Sequence, residues 1–162
     1  MGFDLMGLSP DNPLKVQKPT MDPDNHTAED LEAYFEQMTA YRAAVDGDYF
    51  RNNVWWWRPM WDYVCEKYKD TLTATDNTMG HENSGHIICK EKAKRIATKL
   101  NNEIEDGSIK KMCMKYETDR KVLIESNCDS AKAKFAFNYP MSVNNFQAFA
   151  DFCKHSGGFE IW

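Results

Sequence analysis

The sequence predicts a mainly α-helical α+β fold, with about five helices and a small sheet formed by the terminal strands. Two observations favour this class. Apolar residues recur at helical spacing in five separate stretches of the chain. At the two ends of the chain, in residues 3–6 and 159–162, large apolar residues instead occur at every second position, as in strands. A length of 162 residues suits one domain, so we expect a single domain over 1–162.

The N-terminal third combines a proline-rich connector with an acidic helix. Residues 9–25 hold four of the six prolines, which exclude a regular helix or a central strand. Thr27 is a candidate N-cap with Asp30 three residues on, and the periodicity that follows predicts a helix over 28–45. Residues 22–48 contain eight acids and one arginine, so the outer face of this helix is acidic.

The central third predicts two helices separated by a loop. Pro59 suits the first turn of a helix, and the apolar positions after it predict a helix to about residue 73. Residues 73–86 are polar and contain two glycines, which is typical of a loop. A buried stripe of helical period predicts a helix over 90–106, ended by Gly107.

The C-terminal third predicts two more helices. One begins at Ser108 and runs to about residue 123, although 121–125 could equally form a strand. The last begins after Ser142, and Gly157 ends it. Between these helices, an alternation of aromatic residues predicts a short extended piece: Phe135, Phe137 and Tyr139.

Composition and charge exclude several classes of protein. A net charge of −5 and 13% aromatic residues exclude a disordered chain. No apolar run approaches the roughly 20 residues of a membrane span, and no signal peptide is visible, so we expect no membrane partner. The acidic balance disfavours nucleic acid as a partner. Five scattered cysteines without a C-x-x-C pair predict free thiols in a reducing cytoplasm.

Residues 49–61 carry the strongest local signal, because four of the five tryptophans lie within seven residues. Three consecutive side chains cannot all point into one core, so at least one ring should lie at a surface, groove or interface. Aromatic faces beside guanidinium groups suit nucleobase stacking and phosphate pairing. A packed core, a clamp on the connector or a dimer contact is the alternative. The candidate ligand-binding residues are Arg51, Trp55, Trp56, Trp57 and Arg58.

Two glycine-bearing turns add further candidate ligand-binding residues. His81 and His86 share a loop just before a predicted helix, where backbone amides attract anions. Their spacing is not that of a zinc protease, and no metal site is predicted. The turn at Ser156, Gly157 and Gly158 could cradle a phosphate. In both turns, ordinary local packing is the alternative.

Charge patterning and motifs constrain activity and assembly. Residues 90–121 hold ten bases and six acids, so the molecule is electrostatically bipolar. Attraction between its acidic and basic faces could support a homo-oligomer. The sequence contains no Walker A loop, dinucleotide-binding fingerprint, nucleophile elbow or kinase motifs. We therefore predict no catalytic residue and no cofactor, and a non-enzymatic protein is favoured without excluding catalysis.

Five short blocks resemble a family of small bacteriophage and prophage proteins. The blocks are GFDL at 2–5, YFRNNVWWWRP at 49–59, WDYVC at 61–65, GH at 85–86 and SGGF at 156–159. The tryptophan block is the most specific of them. The resemblance implies viral origin and expression in a bacterial cytoplasm, but no particular activity. Family members carry paired cysteines before the final helix, and this sequence lacks them, so their metal site is not transferred.

Together these features predict a phage-encoded accessory protein that binds or sequesters a small anionic ligand such as a nucleotide. One alternative is an interaction module that binds a host protein through an exposed tryptophan and acidic surface. The other is an enzyme acting on a phosphate ester, with His81 or His86 as acid or base. A closed pocket would favour the first function, and a flat aromatic patch would favour the second.

Overall fold

The computed structural model describes residues 2–126, 131, 134 and 138–162. These residues form six helices and a four-stranded antiparallel sheet, which confirms the predicted α+β, mainly α class. The strands are β1 (Gly2–Gly7), β2 (Tyr49–Asn53), β3 (His86–Ile88) and β4 (Phe159–Ile161). The helices are α1 (Ala28–Ala44), α2 (Val54–Lys67), α3 (Ala74–Met79), α4 (Lys90–Glu105), α5 (Ser108–Glu125) and α6 (Val143–His155).

The sheet brings the two ends of the chain together, as predicted. Its strand order is β2-β1-β4-β3, and Leu5 of β1 lies opposite Ile161 of β4. The two internal strands, of five and three residues, were not predicted. Neither segment contains enough alternating apolar positions for its sequence to predict a strand. Each is instead stabilised by pairing with a terminal strand.

Helix boundaries follow the capping residues. At α1 both hydrogen bonds of the predicted capping box between Thr27 and Asp30 are present. The helix expected from Pro59 in fact begins at Val54, because the Asn53 side chain accepts a hydrogen bond from the Trp56 backbone N–H. Pro59 therefore lies inside α2, where it has no N–H to donate to the Trp55 carbonyl.

Two further boundaries differ from the sequence predictions. The region expected to be a loop contains α3, which begins at a second capping box formed by Thr73 and Asp76. Helix α5 continues to Glu125, so the alternative of a strand over 121–125 is wrong. Of the extended piece expected at 135–139, only Asn138 and Tyr139 are among the described residues. Asn138 is helical, and Tyr139 is buried and has no regular secondary structure.

The main core lies between one face of the sheet and helices α2, α4 and α6. Trp57 and Trp61 stack with their ring centroids 5.1 Å apart, Phe3 stacks on Trp57, and Phe149 meets both indoles edge-on. Burial of each large apolar side chain stabilises the fold by about 1.5–3 kcal/mol. The core thereby holds one face of α2 against the sheet and leaves its other face outward.

Helix α1 and the connector form a smaller, separate cluster. Most of residues 9–25 have no regular secondary structure, as expected. Met38, Tyr41 and Val45 are buried together against Val16 of the connector. Among the described residues, no helix has the length and apolarity needed to cross a membrane.

Candidate functional site

The three consecutive tryptophans lie in three different environments. Trp57 is fully buried, and its Nε1–H donates to the Gly80 carbonyl at 2.7 Å. Trp56 is half-buried, and its carbonyl accepts a hydrogen bond from Asn145. Trp55 is 43% exposed, and its ring meets Tyr139 edge-on with centroids 5.2 Å apart. One ring of the run therefore lies at the surface.

The two arginines beside this run belong to different surfaces. Arg51 projects from the open face of the sheet, where its Nε lies 3.8 Å from a carboxylate oxygen of Asp4. Arg58 lies on α2 and donates from Nη1 to the Tyr139 hydroxyl at 3.3 Å. Arg58 and Trp55 thus share Tyr139 as a partner, whereas Arg51 is not part of that contact group.

The two loop histidines bind separate carboxylates. His81 Nε2 lies 2.8 Å from Asp62 Oδ1, so His81 adjoins the outward face of α2. His86 Nε2 lies 3.0 Å from Asp76 Oδ1, and Lys92 Nζ lies 2.6 Å from the other oxygen of this buried carboxylate. Asp76 with its partners therefore fastens α3 to the start of α4 and β3.

The charge state of Asp76 supports this structural role. Burial alone would raise the pKa of the Asp76 carboxyl, but hydrogen bonds from Lys92, Thr73 and His86 outweigh burial and hold that pKa well below its ordinary value. The carboxylate is therefore charged at neutral pH, and both of its oxygens already have partners within the protein.

The Ser156–Gly158 turn packs against the N-terminal connector. The Ser156 carbonyl accepts from the Ser9 N–H, and the Gly158 carbonyl accepts from the Leu8 N–H, both at 2.9 Å. Gly157 and Gly158 have positive φ angles of 65° and 95°. A Cβ on Gly157 would lie 2.3 Å from the Ser9 carbonyl oxygen, so close chain packing requires this glycine.

The ten predicted ligand residues are therefore not gathered at one place. Trp55 and Arg58 lie on the outward face of α2. His81 contacts the same face through Asp62. Trp57 belongs to the core, and the remaining residues belong to the other contacts just described.

The outward face of α2 forms one wall of a groove, and α5 forms the other. Its volume is about 370 Å³. We call it the α2–α5 groove. Its apolar and aromatic lining comprises Pro59, Tyr63, Met112, Tyr116 and Met141. The groove is not visible in the sequence, because the apolar pattern predicts both helices but does not indicate that their faces stand apart.

The rim of the α2–α5 groove is negatively charged. Asp62 and Glu66 lie on the α2 side, and Asp119 and Lys115 lie on the α5 side. Lys115 Nζ is already 2.7 Å from Asp119 Oδ2. The side chains of Asp62 and Asp119 are 54% and 61% exposed, so both carboxylates face solvent at the mouth of the groove.

The groove tyrosines present ring faces rather than reactive hydroxyls. Tyr63 donates its O–H to Glu103 Oε2, and Tyr116 donates its O–H to the Tyr139 carbonyl, each at 2.7 Å. Burial raises the pKa of both phenols, so both stay protonated at neutral pH. Burial also raises the pKa of the neighbouring Cys113 thiol, to about 11.

Among the groove residues that the structure describes, the hydroxyls of Tyr63 and Tyr116 are hydrogen-bonded and protonated, so neither is an activated nucleophile. Within the described ranges, no group of three or more histidine, cysteine or acidic side chains is placed to hold a metal ion. A scan against protein-family models and searches of curated proteins and of solved structures each found no match. Function must therefore be inferred from the groove itself.

Proposed function

We propose that the protein is an interaction module whose α2–α5 groove binds a basic amphipathic helix of a partner protein. The observation that carries this proposal is an apolar lining enclosed by a rim with three carboxylates and one ammonium group. The lining would bury apolar side chains, and the rim would attract lysine or arginine on either side of them.

The lining also favours a helical partner. A groove between two helices accepts a third helix through apolar side chains spaced three and four residues apart. Met112 and Met141 contribute flexible, polarisable side chains that adapt to such a surface. Trp55, beside Tyr139, extends the aromatic surface beyond the lining, and tryptophan is a frequent energetic centre of interfaces.

The same charges weigh against an anionic ligand in this groove. The rim carboxylates would repel a phosphate, and Lys115 is paired with Asp119. The predicted nucleotide therefore gains no support from the α2–α5 groove. The resemblance to phage proteins adds the proposal that the partner belongs to the bacterial host.

Selection from a library of helical peptides, with the full chain as bait, tests this function. Enriched peptides are expected to combine an apolar stripe with flanking lysine or arginine. Their binding should weaken in Glu66→Lys, which reverses an exposed charge on the rim. Glu105→Gln changes an exposed charge outside the groove lining and should leave binding unchanged.

Three results would overturn the proposal. In the first two, selection enriches no helical peptide, or it enriches only peptides without basic residues. Alternatively, binding could survive Glu66→Lys and be lost in Phe35→Asp, which alters the exposed apolar face of α1. That result would assign the interaction to α1 instead of the groove.

A further inference from the structure

A second groove, between α4 and α6, has a different chemistry. Its volume is about 390 Å³. We call it the α4–α6 groove. Five of its six lining residues are polar or basic, and Ala97 is the exception. The lining comprises Lys94, Ala97, Thr98, Asn101, Asn102 and Lys154.

The lysines of the α4–α6 groove differ from their neighbours in their pairing. On the other side of α4, Lys99 and Arg95 pair with Asp70, and Lys92 pairs with Asp76. Neither Lys94 nor Lys154 makes a salt bridge within the described part of the chain, although Lys94 lies close enough to Glu91 for their charges to interact. The acids one turn before these two lysines are Glu91 and Asp151, and neither lines the groove.

The amide and hydroxyl groups complement the lysines. Asn101 accepts at Oδ1 from Gln147 Nε2, which leaves the Asn101 NH₂ group as the side that can donate to a ligand. Thr98 donates its hydroxyl to the Lys94 carbonyl at 2.9 Å. The groove therefore offers two ammonium groups and at least one amide donor, with no carboxylate in its lining.

We infer that the α4–α6 groove binds a small phosphorylated molecule through its phosphate groups. Lys94 and Lys154 would pair with phosphate oxygens, and the Asn101 amide would add a directed hydrogen bond. Its volume falls in the roughly 300–1,000 Å³ range of small-molecule sites. No aromatic side chain is part of this lining, so recognition would concern the phosphates and not a stacked base. This inference is independent of the proposed function.

Isothermal titration of the full chain with inorganic pyrophosphate tests the inference. Lys94→Ala and Lys154→Ala should each weaken binding by about fivefold or more, because each removes a charge-assisted hydrogen bond. Lys110→Ala removes an exposed charge of the same kind outside this lining and should change binding less than about twofold. Circular dichroism checks that each variant is folded.

Comparison with adenosine diphosphate completes the test. Similar affinity for both ligands supports recognition of phosphate alone. The inference is overturned if pyrophosphate does not bind, or if Lys110→Ala weakens binding as much as the groove variants do. Binding of adenosine diphosphate without binding of pyrophosphate would also overturn it, because that pattern requires contacts to the nucleoside.

Discussion

The two faces of α2 show how adjacent, chemically similar residues acquire opposite roles. Trp57, Trp61 and Val64 are fully buried on the inward face. Trp55 and Glu66 lie on the outward face, near opposite ends of α2. Glu66 lines the α2–α5 groove, and Trp55 contacts Tyr139 beside it. Because each residue turns the side chain by about 100° around a helix, two positions suffice to move an indole from the core to the surface. Tryptophan content alone therefore does not identify a binding site.

The largest expected difference between the faces is in stability. Trp57→Ala should lower the free energy of unfolding by about 3–5 kcal/mol, because it removes a fully buried indole and leaves a cavity. Trp55→Ala should cost less than about 1 kcal/mol, because its ring is 43% exposed. Urea denaturation of both variants measures the difference, and equal losses would contradict the assignment of the two faces.

A smaller loss of stability is expected when the contacts of Asp76, which hold α3 against β3 and the start of α4, are weakened. Asp76→Asn should cost about 1.5–3 kcal/mol at neutral pH, because it weakens charged hydrogen bonds at a buried site. The folded-state pKa of Asp76 lies below its ordinary value of 3.8. The stabilisation is therefore present above about pH 4 and is lost as pH falls towards the folded-state pKa.

Denaturation between pH 7 and pH 2 checks the sign of this effect. The wild-type protein should lose more stability than Asp76→Asn over that range, so their difference should shrink in acid. Asp119→Asn, at an exposed ion pair, is the matched control and should cost less than about 1 kcal/mol at neutral pH. A constant difference between wild type and Asp76→Asn would contradict the role of the carboxylate.

The substitution Gly80→Ala tests how closely the Trp61 indole on the inward face of α2 packs against the loop after α3. A Cβ at this position would lie 2.1 Å from Trp61 Nε1, so Gly80→Ala must displace the indole or the loop. We expect a loss of about 1–3 kcal/mol from this overpacking. Gly107→Ala is a useful comparison, because its Cβ would meet no atom within 4 Å and only its positive φ opposes the change. Thermal denaturation should rank Gly80→Ala as the more damaging substitution.

Local sequence patterns predicted most of the fold. The Thr27–Asp30 capping box located α1, and apolar periodicity located α4, α5 and α6. The terminal strands were also identified, since alternation is visible within a few residues. The same capping pattern is present at Thr73 and Asp76, where α3 begins, but the polar composition of 73–86 favours a loop.

The candidate site was much less predictable, because a groove depends on contacts between distant segments. Nothing near Tyr63 in the sequence indicates that Met112 and Met141 will stand opposite it. Gly157 illustrates the converse: a glycine that suggested a phosphate turn is required by the approach of Ser9. Short-range patterns specify helices, whereas the spacing between helix faces depends on packing of the whole core.

A charge-swap titration shows whether the outward face of α2 binds a basic helix. One peptide selected on the wild-type protein is prepared with its basic flanks and again with glutamate flanks, and both affinities are measured for wild type and Glu66→Lys. We predict that Glu66→Lys weakens binding of the basic peptide by about 2–5-fold, which is about 0.4–1 kcal/mol, and strengthens binding of the acidic peptide. If the ratio of the two affinities is the same for both proteins, the rim of the groove does not select its partner by charge and the claim is wrong.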